Sequence, residues 1–225
     1  MIPADLLPPI AQDLPAVGKI LLPGLTLFQA LKGGDAASVR RLVEPRVNSI
    51  AQRAAFLDQV VGEALRSIGE QWASGQLSIE EEHRASYVLA DAIDRLRPAM
   101  VAGGNVAILA CPPGEWHEMP LRLVRLVLEW HGWRTEFVGA SLPWNEAAAS
   151  ARRRHAVLLA FSARSQEAFD DDAFLDLVRR CQKSRIQVVA GGEWARGGSG
   201  AEVLYQRFRT LHGFERWLRS AYPAD

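Results

Sequence analysis

The sequence predicts an α/β protein with a helical cap: an N-terminal four-helix bundle followed by a doubly wound parallel sheet. Three observations carry this. Between Leu25 and Met100 apolar residues recur at spacings of three and four, the period of amphipathic helices. After Ala102-Gly103-Gly104 the pattern changes to short, wholly apolar runs such as Val106–Ala110, the mark of parallel strands covered on both faces. Those runs then alternate with helical stretches, as βα units do.

Taken in order, residues 1–24 contain prolines at positions 3, 8, 9, 15 and 23 and no sustained period, which reads as an extended, Pro-rich arm. Helices are expected near Leu25–Leu31 and over Ala36–Ile50. Leu57, Val61, Ala64, Ile68 and Trp72 form one stripe, and Ser74-Gly75 ends that helix. Ser78-Ile79-Glu80-Glu81 is a capping box opening the next, whose stripe runs Ala85, Leu89, Ala92, Leu96 and Met100. The bundle thus covers 25–102 and the sheet domain 105–225. Strands are expected at Val106–Ala110, Thr135–Val138, Ala156–Phe161, Gln187–Ala190 and Phe208–Leu211. Helices follow Pro120, a residue suited to a first turn, and lie near 145–153, 170–182 and 213–221.

The chain has 225 residues, 48% apolar, with 26 basic and 26 acidic side chains. A neutral chain lacks the electrostatic footprint of a nucleic-acid binder, so no direct nucleic-acid partner is expected. Arg152-Arg153-Arg154 reads as a solvated helix end. No apolar stretch reaches the ~20 residues of a membrane span, and there is no signal-peptide pattern. Two cysteines do not suggest a disulfide scaffold. A cytoplasmic protein without membrane contact is expected.

Chemistry concentrates after three of the expected strands. Glu115, Trp116 and His117 lie in the loop after the first, at the carboxyl edge where open α/β sheets bind ligands. A neutral imidazole can ligate a metal through one nitrogen while the other donates to a carboxylate, and Glu115 is placed for that role. Ser162 follows the third strand, and Gly191-Gly192 follow the fourth, where close approach of a ligand to the backbone tolerates no Cβ. Glu118, Cys111 and His155 read as satisfied surface or core residues. Forty-one residues separate Pro120 from Ser162, and twenty-six separate Arg164 from Gly191.

This layout resembles the cobalamin-binding signature: an acidic residue-x-His-x-x-Gly, then Ser-x-Leu, then Gly-Gly. Pro120 stands where Gly is usual and Arg164 where Leu is usual. The resemblance implies a Rossmann-like cobalamin-binding domain with His117 as lower cobalt ligand and Glu115 holding it. It also implies a nucleotide tail threaded near Ser162 and Gly191-Gly192. A second element, Trp72 followed after nine residues by Glu82-His83, resembles the cap of the CarH/LitR-type light sensors. There it implies Trp72 against the adenosyl group, with Glu82 and His83 making polar contacts to it. Trp116 is assigned to the same cofactor site.

The CarH/LitR family begins with a winged helix, and nothing of that size or charge precedes Leu25. In length and layout the chain is similar to the stand-alone AerR/PpaA-type antirepressors. The resemblance therefore implies a photoreceptor, not an enzyme, that regulates photosynthesis genes by contacting a transcriptional repressor protein. Its cofactor is expected to be adenosylcobalamin in the dark and aquo- or hydroxocobalamin after light. The family's second His, directly after the cap Trp, is here Ala73, so a bis-His photoproduct cannot form from that position. Alternatives are a corrinoid protein that carries methyl groups for methyltransferases, or a haem-based redox sensor using His117.

Overall fold

The computed structural model describes residues 17–99, 103–169, 172–193, 195, 198–200 and 204–223. Two compact units emerge: a helical one comprising residues up to 44 and 59–89, and a sheet unit comprising 45–58 and 90–225. Among the described residues no helix is long and apolar enough to cross a membrane.

In the helical unit, α1 (Val17–Lys32) packs on α2 (Ala36–Val43) and α4 (Gly62–Ala73). The expected extended arm is therefore helical from Val17, with Pro23 inside the helix; residues 1–16 lie outside the described ones. Gly24 explains the close fit, because a Cβ there would stand 2.9 Å from the Cβ of Glu63 on α4. Helix α2 starts at Asp35, whose side chain accepts from Ser38 N–H. It stops at Val43, short of the expected Ile50. A new helix, α3 (Ile50–Phe56), is capped by Ser49 and runs through a π-helical turn at Leu57–Val61 into α4. The stripe is core at Leu57, Val61, Ala64 and Ile68, each at most 4% exposed, but Trp72 is 46% exposed.

Helix α5 (Ile79–Asp94) opens on the expected capping box. Glu81 N–H donates to Ser78 Oγ at 3.2 Å, and Ser78 N–H to Glu81 Oε2 at 2.8 Å. Ala85, Leu89 and Ala92 are buried as expected. The helix ends before Leu96, and Met100 and Ala102 lie outside the described residues.

In the sheet unit, five parallel strands run in the order β2 (Arg134–Gly139), β1 (Val106–Ala110), β3 (Leu158–Ser162), β4 (Gln187–Gly191), β6 (Tyr205–Phe208). A short antiparallel strand, β5 (Gly198–Gly200), extends the edge and was not anticipated. The last parallel strand lies at 205–208 because Thr210, expected within it, caps α9 (Leu211–Ala221). Helices α7 (Trp144–Arg153) and α8 (Asp172–Lys183) cover one face over Ile108, Leu159, Phe161 and Val188. Helices α6 (Met119–Trp130) and α9 pack together on the other, with α3 against both. Asp58 caps α9, accepting from Leu211 and His212 N–H at 2.8 and 2.9 Å.

Glu129 on α6 is 8% exposed and anchors a charged network. Arg97 donates to it twice, at 2.7 and 2.9 Å, and Arg125 and Thr135 donate as well. Burial pushes the Glu129 carboxyl up, but the Arg97, Thr135 and Arg125 donors together hold it below the usual carboxylate range. Removing the carboxylate strands two guanidinium groups, so Glu129→Ala should lower unfolding free energy by about 3 kcal/mol. Urea unfolding checks this; a loss below about 1 kcal/mol would mean the network is solvent-screened.

Candidate functional site

The strand order reverses between β1 and β3, which makes the carboxyl end of that pair the topological switch point. The loop after β1 carries Glu115, Trp116 and His117 to this point. Glu115 Oε1 lies 2.5 Å from His117 Nδ1 and also accepts the backbone N–H groups of Trp116 and His117, each at 2.9 Å. Its Oε2 accepts from Arg164 N–H at 2.7 Å, across the switch point in the loop after β3. Glu115 thus ties two loops together while holding one ring.

The other side of the loop is fastened to the segment after β2. Ser141 N–H donates to Glu115 O at 2.9 Å, Gly114 N–H to Ser141 Oγ at 3.1 Å, and Ala140 N–H to Glu118 Oε1 at 3.1 Å. Gly139 holds a φ of +95°, a conformation that strains any residue with a Cβ. Glu118 is thus a satisfied residue whose hydrogen bonds clamp the loop. No sequence signal marks Ser141, which holds a positive φ of 49° without being glycine.

Electrostatics make this a fixed dyad. Burial raises the Glu115 carboxyl, but Arg164 and His117 N–H donors and the His117 ring outweigh it and lower the pKa below its usual value. Beside an ionised Glu115, Nδ1 is the donor, and in a neutral ring Nε2 then keeps its lone pair. The His117 side chain is 57% exposed, against 10% for Glu115. A single imidazole cannot hold a free ion on its own; it suits a metal whose other positions a macrocycle fills. Cys111, by contrast, is buried and pushed up to about 12, chiefly by burial and then by Glu115 and Glu118. It remains a thiol at neutral pH.

Ser162 and Gly191 are register partners on β3 and β4, so alternation places both on the face away from Phe161 and Ala190, which pack under α7 and α8. That face is the one covered by α6, the helix His117 precedes. Ser162 is buried at 3% exposure. A Cβ on Gly191 would crowd Phe208 O at 3.2 Å, and Gly192 has a φ of 153°. Both departures from the usual signature fit locally. Pro120 occupies the first turn of α6, where no N–H is needed, and Arg164 contributes its backbone N–H.

Glu82 and His83 sit together in the first turns of α5, with carboxylate and ring 3.6 Å apart; Ser86 Oγ donates to Glu82 at 2.7 Å. These residues and Trp72 belong to the helical unit, while the Glu115–His117 dyad, Ser162 and the glycines belong to the sheet unit. Trp116 is 71% exposed and makes no ring contact among the described residues.

Residues 26–97 match the family model described as the B12 binding domain. The chain is 29% identical over 202 residues to the HTH-type transcriptional repressor CarH of Myxococcus xanthus, covering 87% of this chain and 66% of that protein. It is 33% identical over 149 residues to the HTH-type transcriptional repressor CarA of Myxococcus xanthus, covering 63% and 48%. The chain therefore spans only part of these curated relatives. Among solved structures it is similar in fold to the monomethylamine corrinoid protein of Methanosarcina barkeri, with a TM-score of 0.61, 15% identity, and coverage of 85% of this chain and 94% of that chain.

Proposed function

We propose that this chain, which belongs to the cobalamin-binding modules of the CarH type, is a light-responsive regulator that acts by protein–protein contact. Its partner is a transcriptional repressor, whose hold on DNA it relieves, and it catalyses no reaction. The observation that carries this reading is Trp72. It ends a buried apolar stripe yet stays 46% exposed, as a side chain does when its partner is a ligand rather than the core. A methyl carrier on the same scaffold gives Trp72, Glu82 and His83 no task.

The residues fit a corrinoid. His117 offers Nε2 from an exposed ring whose other nitrogen is committed to Glu115. Gly191, the register partner of Ser162, lets β4 pass close to Phe208 O, where a Cβ would crowd it at 3.2 Å. By the resemblance, His117 would hold the cobalt and Ser162 and Gly191-Gly192 the nucleotide tail, while Trp72, Glu82 and His83 would serve the adenosyl group and Trp116 the same cofactor. Adenosylcobalamin, when bound, supplies a cobalt–carbon bond that light can break. The chain's part is to fix the His117 ring, cover the upper ligand with Trp72, and carry the change to a protein surface. Identity to a transcriptional repressor over most of the chain supports a regulatory role, and zero net charge supports action without direct DNA contact.

The test combines absorbance with a promoter-binding assay. Purified protein should take up adenosylcobalamin and change its visible spectrum on illumination, which also separates a corrinoid from a haem. Alone it should leave promoter DNA unbound, while in a mixture it should shift the repressor's affinity differently in light and dark. Tight, salt-sensitive, sequence-specific binding by the protein alone, or an effect indifferent to light, overturns the reading.

A further inference from the structure

Three turns along the amino edge of the sheet share one backbone design, and two of them break its usual residue rule. Helices α6, α7 and α8 each end in a turn that feeds the next strand. Gly132, His155 and Arg185 donate their N–H to the carbonyls of Glu129, Arg152 and Gln182 at 3.0, 3.1 and 2.9 Å. The residue after each donates five back: Trp133 to Leu128, Ala156 to Ala151, Ile186 to Cys181, at 3.0, 2.9 and 2.9 Å. This paired pattern is the helix C-terminal motif that forces one residue into the left-handed region. Its φ is +76° at Gly132, +52° at His155 and +58° at Arg185. Glycine occupies that conformation without a Cβ penalty, yet two turns hold an exposed, nitrogen-rich side chain there instead.

The surroundings are basic. Arg134 follows the first turn, Arg152 precedes the second and Lys183 the third, all exposed. Arg153 and Arg154 have carboxylate partners in Glu146 and Glu136. Arg134, Arg152, Lys183 and Arg185 have no ion pair among the described residues. The turns lie along one sheet edge, before β2, β3 and β4, with the start of β1 between the first two: Arg134 N–H donates to Asn105 O, Val157 to Val106 O and Gln187 to Val157 O, at 2.8 to 2.9 Å. The row from β2 to β4 crosses three inter-strand gaps, about 14 Å.

We propose that this amino edge docks an acidic helix of a partner protein through Arg134, Arg152, His155, Lys183 and Arg185. The second and third turns stand one inter-strand gap apart, about 4.8 Å, near the ~5–6 Å between side chains three or four residues apart on a helix; the first stands about two gaps further along, near two such helical steps, so one acidic helical face meets the row. Duplex DNA fits poorly. It presents one charge per ~1.7 Å of axis, far denser than this row. The inference rests on the chain acting through protein contact, and it gives that contact a place and a chemistry. Charge complementarity selects the occupant; the strained turns show that the side chains are kept at a conformational cost.

The test titrates the protein against a fluorescently labelled helical peptide carrying Glu along one face, with a scrambled peptide as control. The patterned peptide should bind more tightly and release as salt is raised. The double variant Arg152→Glu, Arg185→Glu should weaken binding about tenfold or more. His155→Gly and Arg185→Gly should weaken binding several-fold while raising Tm by about 2–4 °C. Equal binding by all variants overturns the proposal. So do glycine variants with a lowered Tm, which assign the side chains to the fold, and duplex DNA that displaces the peptide more strongly than unlabelled peptide does. Cobalamin absorbance of the same variants should be unchanged, so loss of the light response and loss of docking are read separately.

Discussion

His117→Ala is expected to abolish lower axial ligation and cut cobalamin affinity by more than tenfold while leaving the fold intact. The ring is 57% exposed and fills no core space, so its removal should change stability by no more than about 0.5 kcal/mol. Glu115→Gln is the finer test, because it keeps the shape but weakens the hold on Nδ1; carboxylates behind a ligating His are worth about 10–100-fold in metal affinity. Acid should act in the same direction. The folded-state pKa of Glu115 lies below its unfolded value, so the stability its ionisation contributes is fully present above about 4.3. It is lost as pH falls through the lowered folded value. Absorbance of the loaded protein reads axial ligation, and circular dichroism reads the fold. Unchanged spectrum and affinity in His117→Ala would remove this residue from the site.

Trp72→Ala should weaken adenosylcobalamin binding about 30- to 150-fold and hydroxocobalamin binding far less. The figure follows from geometry. A Trp buries ~150–250 Å², and this one is 46% exposed. Covering the remainder at ~25 cal/mol/Å² yields about 2–3 kcal/mol, at about 1.4 kcal/mol per tenfold. Driving a two-state cap from 1:99 to 99:1 needs about 5.5 kcal/mol, so Trp72 accounts for roughly half and Glu82, His83 and their neighbours must supply the rest. Isothermal titration with both cobalamins in the dark decides it. Equal losses for the two would mark Trp72 as ordinary packing and sink the cap argument.

The sheet domain was legible because each strand–helix pair carries its own punctuation. Val106–Ala110 is too apolar to be anything but a doubly covered strand, and Pro120 and Gly132 mark helix ends through backbone chemistry that is local; Thr210, expected within a strand, caps α9 instead. The helical half was read less well at its boundaries. Pro23 reads as a breaker until Gly24 is seen against Glu63, and the break at Val43 depends on the chain leaving one unit for the other. A π-helical turn has no local signature. In the site, Glu115 and His117 were visible because two residues in one loop share a spacing. Ser141, Glu118 and the Arg164 amide were not. Their contacts join loops 22 to 49 residues apart in sequence, and only topology brings those loops together.

The contact between Arg164 and Glu115 has a consequence for how such chains diverge. What reaches the carboxylate is a main-chain amide, which every residue except proline possesses. Selection acting through this bond cannot distinguish Arg from Leu, so the position is free to drift so long as the loop keeps its path. Glu115 and His117 enjoy no such freedom, because their side chains make the bond themselves. A search pattern that weights all letters of the signature equally will pass over descendants that have lost only the letters chemistry ignores. One weighted by which atom makes the contact will retain them.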